Sequence, residues 1–281
     1  GKQSLADPND YIRSNIEGTL RLLQESRGVD GHKVQNFVLA SSYAVYGQQS
    51  NQKVTDTVFR NEDDRVDYPK TPFAASIKAN ELLAHTFHHL YQFPVSALRF
   101  FPIFGPGYDD ESEAFQLIDS LFRTQNQSQW SHSLDFTYID DAVRAILQSL
   151  DRPYGYEIFN IGSGNCDWLP KAAQMLGVKA ESLPATVDGV SCADTAKAQR
   201  MLSYRPTASL PDGFQETMTW HQRTFYPDSS TLPRSTEPAA AYAAAIRAAK
   251  ATSIDGDTYR FFRTFPSWLH SIVLMQWFVV S

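Results

Sequence analysis

The sequence predicts an α/β fold in which helices pack on a parallel sheet. Three observations point there. Val34-Gln35-Asn36-Phe37-Val38-Leu39-Ala40 is a short apolar run, as a parallel strand covered on both faces requires. Val95-Ser96-Ala97-Leu98-Arg99-Phe100-Phe101 repeats it. Between them, a stretch from Thr71-Pro72 carries Leu82, Leu83, Phe87 and Leu90 at helical spacing. Strand, helix, strand in that order is the alternation of an α/β sheet.

Composition narrows the possibilities. The 281 residues are 42% hydrophobic and 20% charged, enough for one globular domain with an extension or for two small ones. A net charge of -6 gives no reason to expect a nucleic-acid surface. Two cysteines, Cys166 and Cys192, make no disulfide framework, and a reducing or organellar interior fits them. Residues 1–6 are not an apolar run, so no signal peptide is expected there, and no Met opens the chain.

Each element has a local reason. Asp7 caps a helix with Pro8 in its first turn, and Tyr11, Ile16, Leu20, Leu22 and Leu23 carry it to about Arg27. Ser41-Ser42-Tyr43-Ala44-Val45-Tyr46-Gly47 follows the first strand, and residues 48–70 read as polar loop. Pro72 suits the first turn of the next helix, where its missing N–H is no loss. Helices are expected at 112–124 and 141–149, the latter capped by Asp140 or Asp141. Phe159–Asn165 reads as a short strand and turn, and a last helix runs from about Leu210 to Phe225. His85 and His89 share a helix face, but two ligands are too few for zinc. Residues 228–238 are a Ser/Thr/Pro linker and 239–251 an alanine-rich helix former. Trp268 to Val280 is apolar but short of a bilayer span, so residues 258–281 are expected to dock on a membrane surface or another subunit.

Several motifs, in order, carry a family resemblance. Asp7-Pro8, Tyr11, Asn15, Gly18-Thr19 and Leu22-Leu23 resemble a helix of the extended short-chain dehydrogenase/reductases, in particular nucleotide-sugar epimerases of the UDP-glucuronate 4-epimerase type. So do Ser41-Ser42-x-x-Val45-Tyr46-Gly47, Phe73–Glu81, Leu98-Arg99 with Gly105-Pro106, and Asp135-Phe136-Thr137-Tyr138-Ile139-Asp140-Asp141. The resemblance covers residues 1–227. It implies a partial doubly wound, Rossmann-like parallel sheet with substrate-lobe segments at about 102–135 and 160–210 and a helical hydrophobic tail. Roughly 80 residues carrying the first strands and the Gly-rich phosphate loop would be absent.

The resemblance also places a site and shows what it has lost. The family's Tyr-x-x-x-Lys pair falls on Phe73 and Ile77, which have no proton to give and no charge. Lys78 is about 100° round the helix and reads as solvated. The family's catalytic Ser/Thr falls on Ser42, which remains. Asn15, Ser41 and Pro102 occupy positions that organise the site or meet the cofactor, and Phe104 and Leu134 take the place of polar substrate contacts. Tyr108-Asp109-Asp110-Glu111 stands where an Arg is expected and would repel a diphosphate.

Three functions follow as expectations. The first is a catalytically silent structural or accessory subunit of an organellar, mitochondrial, membrane-associated assembly, without cofactor, whose partner subunits cover the open sheet edge. The second is an NAD-dependent nucleotide-sugar epimerase completed by a missing N-terminal half. The third is a sensor that binds without turnover.

Overall fold

The computed structural model describes residues 3–27, 34–47, 57–107, 135–166, 190–208 and 210–225. The expected helix at 112–124, Leu134, the linker and the tail lie outside them.

A three-stranded sheet forms the centre, in the order β1 (Phe37–Ser42), β3 (Val95–Phe100), β6 (Tyr156–Ile161). Both pairings are parallel, with Phe37 opposite Val95 and Val95 opposite Tyr156. All six residues of β3 are buried, because strands flank it on both sides and helices cover both faces. Side chains alternate across the sheet. Val38, Leu98, Phe100, Phe159 and Ile161 pack against α5 (Ile139–Leu150) and α6 (Ala196–Leu202). On the opposite face, Phe37, Leu39, Val95 and Ala97 pack against Leu23 of α3 (Gly18–Ser26) and Ala84 and Phe87 of α4 (Pro72–Tyr91). Helices on both faces of a parallel sheet are the doubly wound arrangement. Two small parallel pairs complete the strands: β2 (Thr57–Arg60) with β7 (Val190–Ala193), and β4 (Ile103–Phe104) with β5 (Thr137–Tyr138). α7 spans Leu210–Phe225, as expected, and Glu216 on it accepts the Tyr138 hydroxyl at 2.6 Å.

The first helix departs from its expected form. After α1 (Gln3–Ala6), Asp7 caps α2 (Pro8–Tyr11) through the N–H groups of Asn9 and Asp10. A π-helical turn over Ile12–Glu17 then interrupts the regular winding before α3. Asn15 sits in that turn and donates to Ser76 on α4 at 2.8 Å, a tertiary bond that helical propensity does not anticipate.

Other expectations are also corrected. Residues 48–70 include β2, whose short run pairs, among the described residues, with the distant β7 alone. Leu82 and Leu90 are exposed, because α4 turns Ala74, Ile77, Ala84 and Phe87 inward. Asp140 and Asp141 lie in the first turn of α5, whose N-cap is Tyr138. Asp141 accepts from Thr207 N, Thr207 Oγ1 and Ala208 N, and so ties that turn to the segment after α6. Cys166 and Cys192, too few for a framework, are brought together, with Cα atoms 5.7 Å apart.

Candidate functional site

The site lies at the C-terminal ends of β1 and β3, where open α/β sheets place their ligands. Ser42 ends β1 and begins a 3-10 turn over Tyr43–Tyr46, its Oγ accepting from Ala44 N at 3.2 Å. α4 begins across from it. Thr71 Oγ1 accepts from Ala74 N at 3.1 Å, and Pro72 occupies the first turn. That start places Phe73 and Ile77 in one apolar cluster with Val45, Tyr46, Val66, Phe101, Ala193 and Tyr43. Ile77 is buried. Phe73 is half-buried, its ring centre 6.0 Å from that of Tyr11 in an edge-to-face arrangement. Tyr43 stacks on Phe101 at 5.5 Å. The two positions that would carry a phenol and an ammonium are built into hydrocarbon packing.

Beneath the cluster lies a buried polar network. Glu81 of α4 accepts from Arg99 Nε at 2.8 Å and from Arg99 Nη2 at 2.9 Å, a bidentate pair with both side chains buried. Ser41 Oγ donates to the same carboxylate at 2.6 Å. Lys78 Nζ reaches it at 3.1 Å, so Lys78 is a half-buried ion-pair partner and not the solvated lysine expected. Burial works against the Glu81 charge, but the Arg99 hydrogen bonds and charge outweigh it and hold the carboxyl below its usual range. Arg99 Nη1 also donates to Glu62 O, and its guanidinium lies 4.8 Å from the Tyr46 ring centre. The Tyr46 hydroxyl donates to Asn160 Oδ1 at 2.6 Å, and burial pushes its pKa up to about 12. A phenol so buried and so weakly acidic is a structural group, not a substitute for the one missing at Phe73. Asn160 is held in turn by Glu62 Oε1 and Arg60 O.

The remaining assigned positions are structural in their contacts. Asn15 donates to Ser76, whose hydroxyl donates to Phe73 O at 2.8 Å. Pro102 O accepts from Thr137 N and ties the end of β3 to β5. Phe104 is buried against Phe136 and Tyr138, at 6.2 and 5.4 Å between ring centres. Asp135 is buried and accepts from Ser163 N, Gly164 N and Ala193 N at 2.9, 2.7 and 3.1 Å, and from Ser163 Oγ. Burial raises its pKa despite these donors. Among the described residues no group of three or more His, Cys, Asp and Glu side chains is placed to hold a metal.

The described residues do not by themselves fit a dinucleotide. Ser41 gives its hydroxyl to Glu81, Asn15 is bonded to Ser76, Pro102 has no N–H, and Ile77 is apolar.

Sequence reasoning missed the Glu81–Arg99–Tyr46–Asn160 network and the clamp at Asp135. One signal was present: an arginine between Leu98 and Phe100, inside a largely apolar strand, requires a buried partner.

A parallel sheet with helices on both faces and a site at its carboxyl edge defines a doubly wound α/β protein. The profile of the NAD dependent epimerase/dehydratase family matches residues 1–162, and the chain belongs to that family. It is 33% identical over 231 residues to the UDP-glucuronate 4-epimerase of Thermodesulfobacterium geofontis, a match covering 78% of this chain and 68% of that one. UDP-glucuronic acid 4-epimerase from Bacillus cereus, solved with UDP-glucuronic acid and NAD, is similar at 26% identity and TM-score 0.59, covering 76% and 69% of the two chains. A tyrosine-to-phenylalanine mutant of that Bacillus cereus enzyme, solved with UDP-4-deoxy-4-fluoro-glucuronic acid and NAD, matches with the same identity, TM-score and coverage.

Proposed function

We propose that this chain is the nucleotide-sugar-handling part of an NAD-dependent nucleotide-sugar epimerase of the UDP-glucuronate 4-epimerase type. Its ligands are UDP-hexuronates or UDP-hexoses, with NAD held in a protein of the relatives' full length. The observation that carries this reading is the 33% identity over 231 residues to a UDP-glucuronate 4-epimerase. The buried frame supports it, since Ser41, Glu81, Arg99 and Asp135 keep the end of the sheet in a defined shape although none of them is a proton carrier.

A second reading has its own observation. Phe73 and Ile77 take no part in proton or charge transfer, and Ser42 is the catalytic hydroxyl position that remains. The protein then binds its ligands without turnover, or serves as an accessory subunit. The Bacillus cereus mutant supports binding of this kind, because a phenylalanine for a tyrosine there coexists with NAD and a UDP-sugar analogue.

One experiment tests both. Full-length protein is titrated calorimetrically with UDP-glucuronate in the presence of NAD, and conversion to UDP-galacturonate is followed. Binding is expected. A Phe73→Tyr/Ile77→Lys variant is expected to turn over at least about 100-fold faster than the parent, since a positioned acid/base contributes on the order of 100- to 10,000-fold. Absence of binding in both proteins contradicts the proposal. Binding without turnover in the parent, with turnover gained in the variant, selects the second reading.

A further inference from the structure

Cys166 and Cys192 belong to segments that other bonds already hold together. Cys192 lies in β7, fully buried and opposite Phe59 of β2. Cys166 is half-buried in the turn that follows β6. Asp135 spans both segments. Its N–H donates to Ser191 O and its carboxylate accepts from Ala193 N, which fixes β7 on either side of Cys192. The same carboxylate accepts from Ser163 N and Gly164 N, which fixes the turn leading to Cys166. The two segments also approach closely at Gly162, where a Cβ would lie 2.6 Å from the Ala193 Cβ and 2.7 Å from Asp135 Oδ2. Their registration therefore does not depend on a sulfur–sulfur bond. The Cα separation of 5.7 Å falls within the span of about 4.4–6.8 Å that a disulfide bridges without moving the backbone.

We infer that Cys166 and Cys192 are a reversible thiol–disulfide pair that exchanges with small disulfides such as oxidised glutathione and locks the turn after β6 to the β2/β7 pair. The chemistry balances. The Cys166 thiolate, the more accessible of the two, attacks one sulfur of glutathione disulfide and releases one glutathione thiolate. The Cys192 thiol passes its proton to the glutathione thiolate just released, attacks the Cys166 sulfur and expels the second glutathione as its thiolate, which takes up a proton from solvent. Two protein thiols are oxidised and one glutathione disulfide is reduced to two thiols. The lock adjoins the candidate site, because Ala193, next to Cys192, packs in the cluster that contains Phe73 and Ile77. The inference does not depend on any activity of that site.

The test uses the full chain equilibrated in glutathione buffers of graded oxidised-to-reduced ratio. Free thiols are counted by maleimide alkylation and intact mass, and melting is followed on the same samples. Two fewer alkylatable thiols are expected at the oxidising end. Bridging residues 26 apart in sequence is expected to raise the melting temperature by about 5–10 °C over the reduced protein. Cys166→Ser is expected to melt with the reduced parent and to ignore the buffer ratio. Cys192→Ala, which leaves an apolar group in the buried position, is expected to do the same. The inference is overturned if both thiols stay alkylatable under oxidising conditions. It is equally overturned if oxidised and reduced protein melt together, or if the single-cysteine variants still respond to the ratio.

Discussion

The Glu81–Arg99 pair decides most at the scale of the residue. Both side chains are buried, and each satisfies the other with two hydrogen bonds. Removing one partner strands the other as an uncompensated charge. Glu81→Gln is therefore expected to cost about 3–5 kcal/mol in urea unfolding. The folded-state pKa of Glu81 lies below its ordinary value: burial raises it, but the hydrogen bonds and charge of Arg99, with Ser41 and Lys78, lower it by more. Its contribution is complete above the ordinary carboxylate range and is lost as pH falls through the depressed value. Tyr46 has the opposite sign. Its folded pKa of about 12, raised chiefly by burial, exceeds the ordinary 10.0, so its contribution is complete below pH 10 and is lost as pH rises toward 12. A melting profile against pH is expected to show an alkaline loss in the parent, and Tyr46→Phe to reduce it by about 3 kcal/mol without abolishing it, because burial also raises the pKa values of Tyr156 and Tyr204. The sequence already showed the apolar groups at Phe73 and Ile77, because side-chain chemistry is read directly from residue identity. It did not show that Lys78 joins Glu81, or that Arg99 has this partner, because those bonds join residues whose meeting depends on the fold.

At the scale of the element, local signals fixed the starts of helices better than their faces. Pro72 marks the first turn of α4, and Thr71 supplies the cap that holds Phe73 and Ile77 in place. Thr71→Ala is expected to lower stability by about 1 kcal/mol in denaturant unfolding. Periodicity located the helix without telling its faces: Leu82 and Leu90 are exposed, whereas the small Ala84 packs against Leu39, Val95 and Ala97 of the sheet. Short strands were the least legible. β2 has four residues, and its pairing with β7 is set by a partner about 130 positions away, as the Arg60–Ser191 bond at a separation of 131 shows. The π-helical turn was hidden for a related reason, since Asn15 bonds to Ser76 across 61 positions.

At the scale of the whole molecule, the parallel strands and the helices on both faces were legible, because buried strands at Phe37–Ser42 and Val95–Phe100 have no other reason to be so apolar. The strand order was not, since it follows from which helix returns the chain to which edge. Among the described residues β1 pairs with β3 alone. The apolar segment at 258–281 lies outside the described residues, and no described helix is long and apolar enough to cross a membrane. We propose that the family's frame surrounds a site in which Phe73 and Ile77 stand where a phenol and an ammonium are expected. Calorimetric titration of the full-length protein with UDP-glucuronate and NAD addresses it most directly. Saturable heat that UDP-galacturonate suppresses by competition is the predicted result. No heat with any UDP-sugar, in the parent or in the Phe73→Tyr/Ile77→Lys variant, would contradict the account.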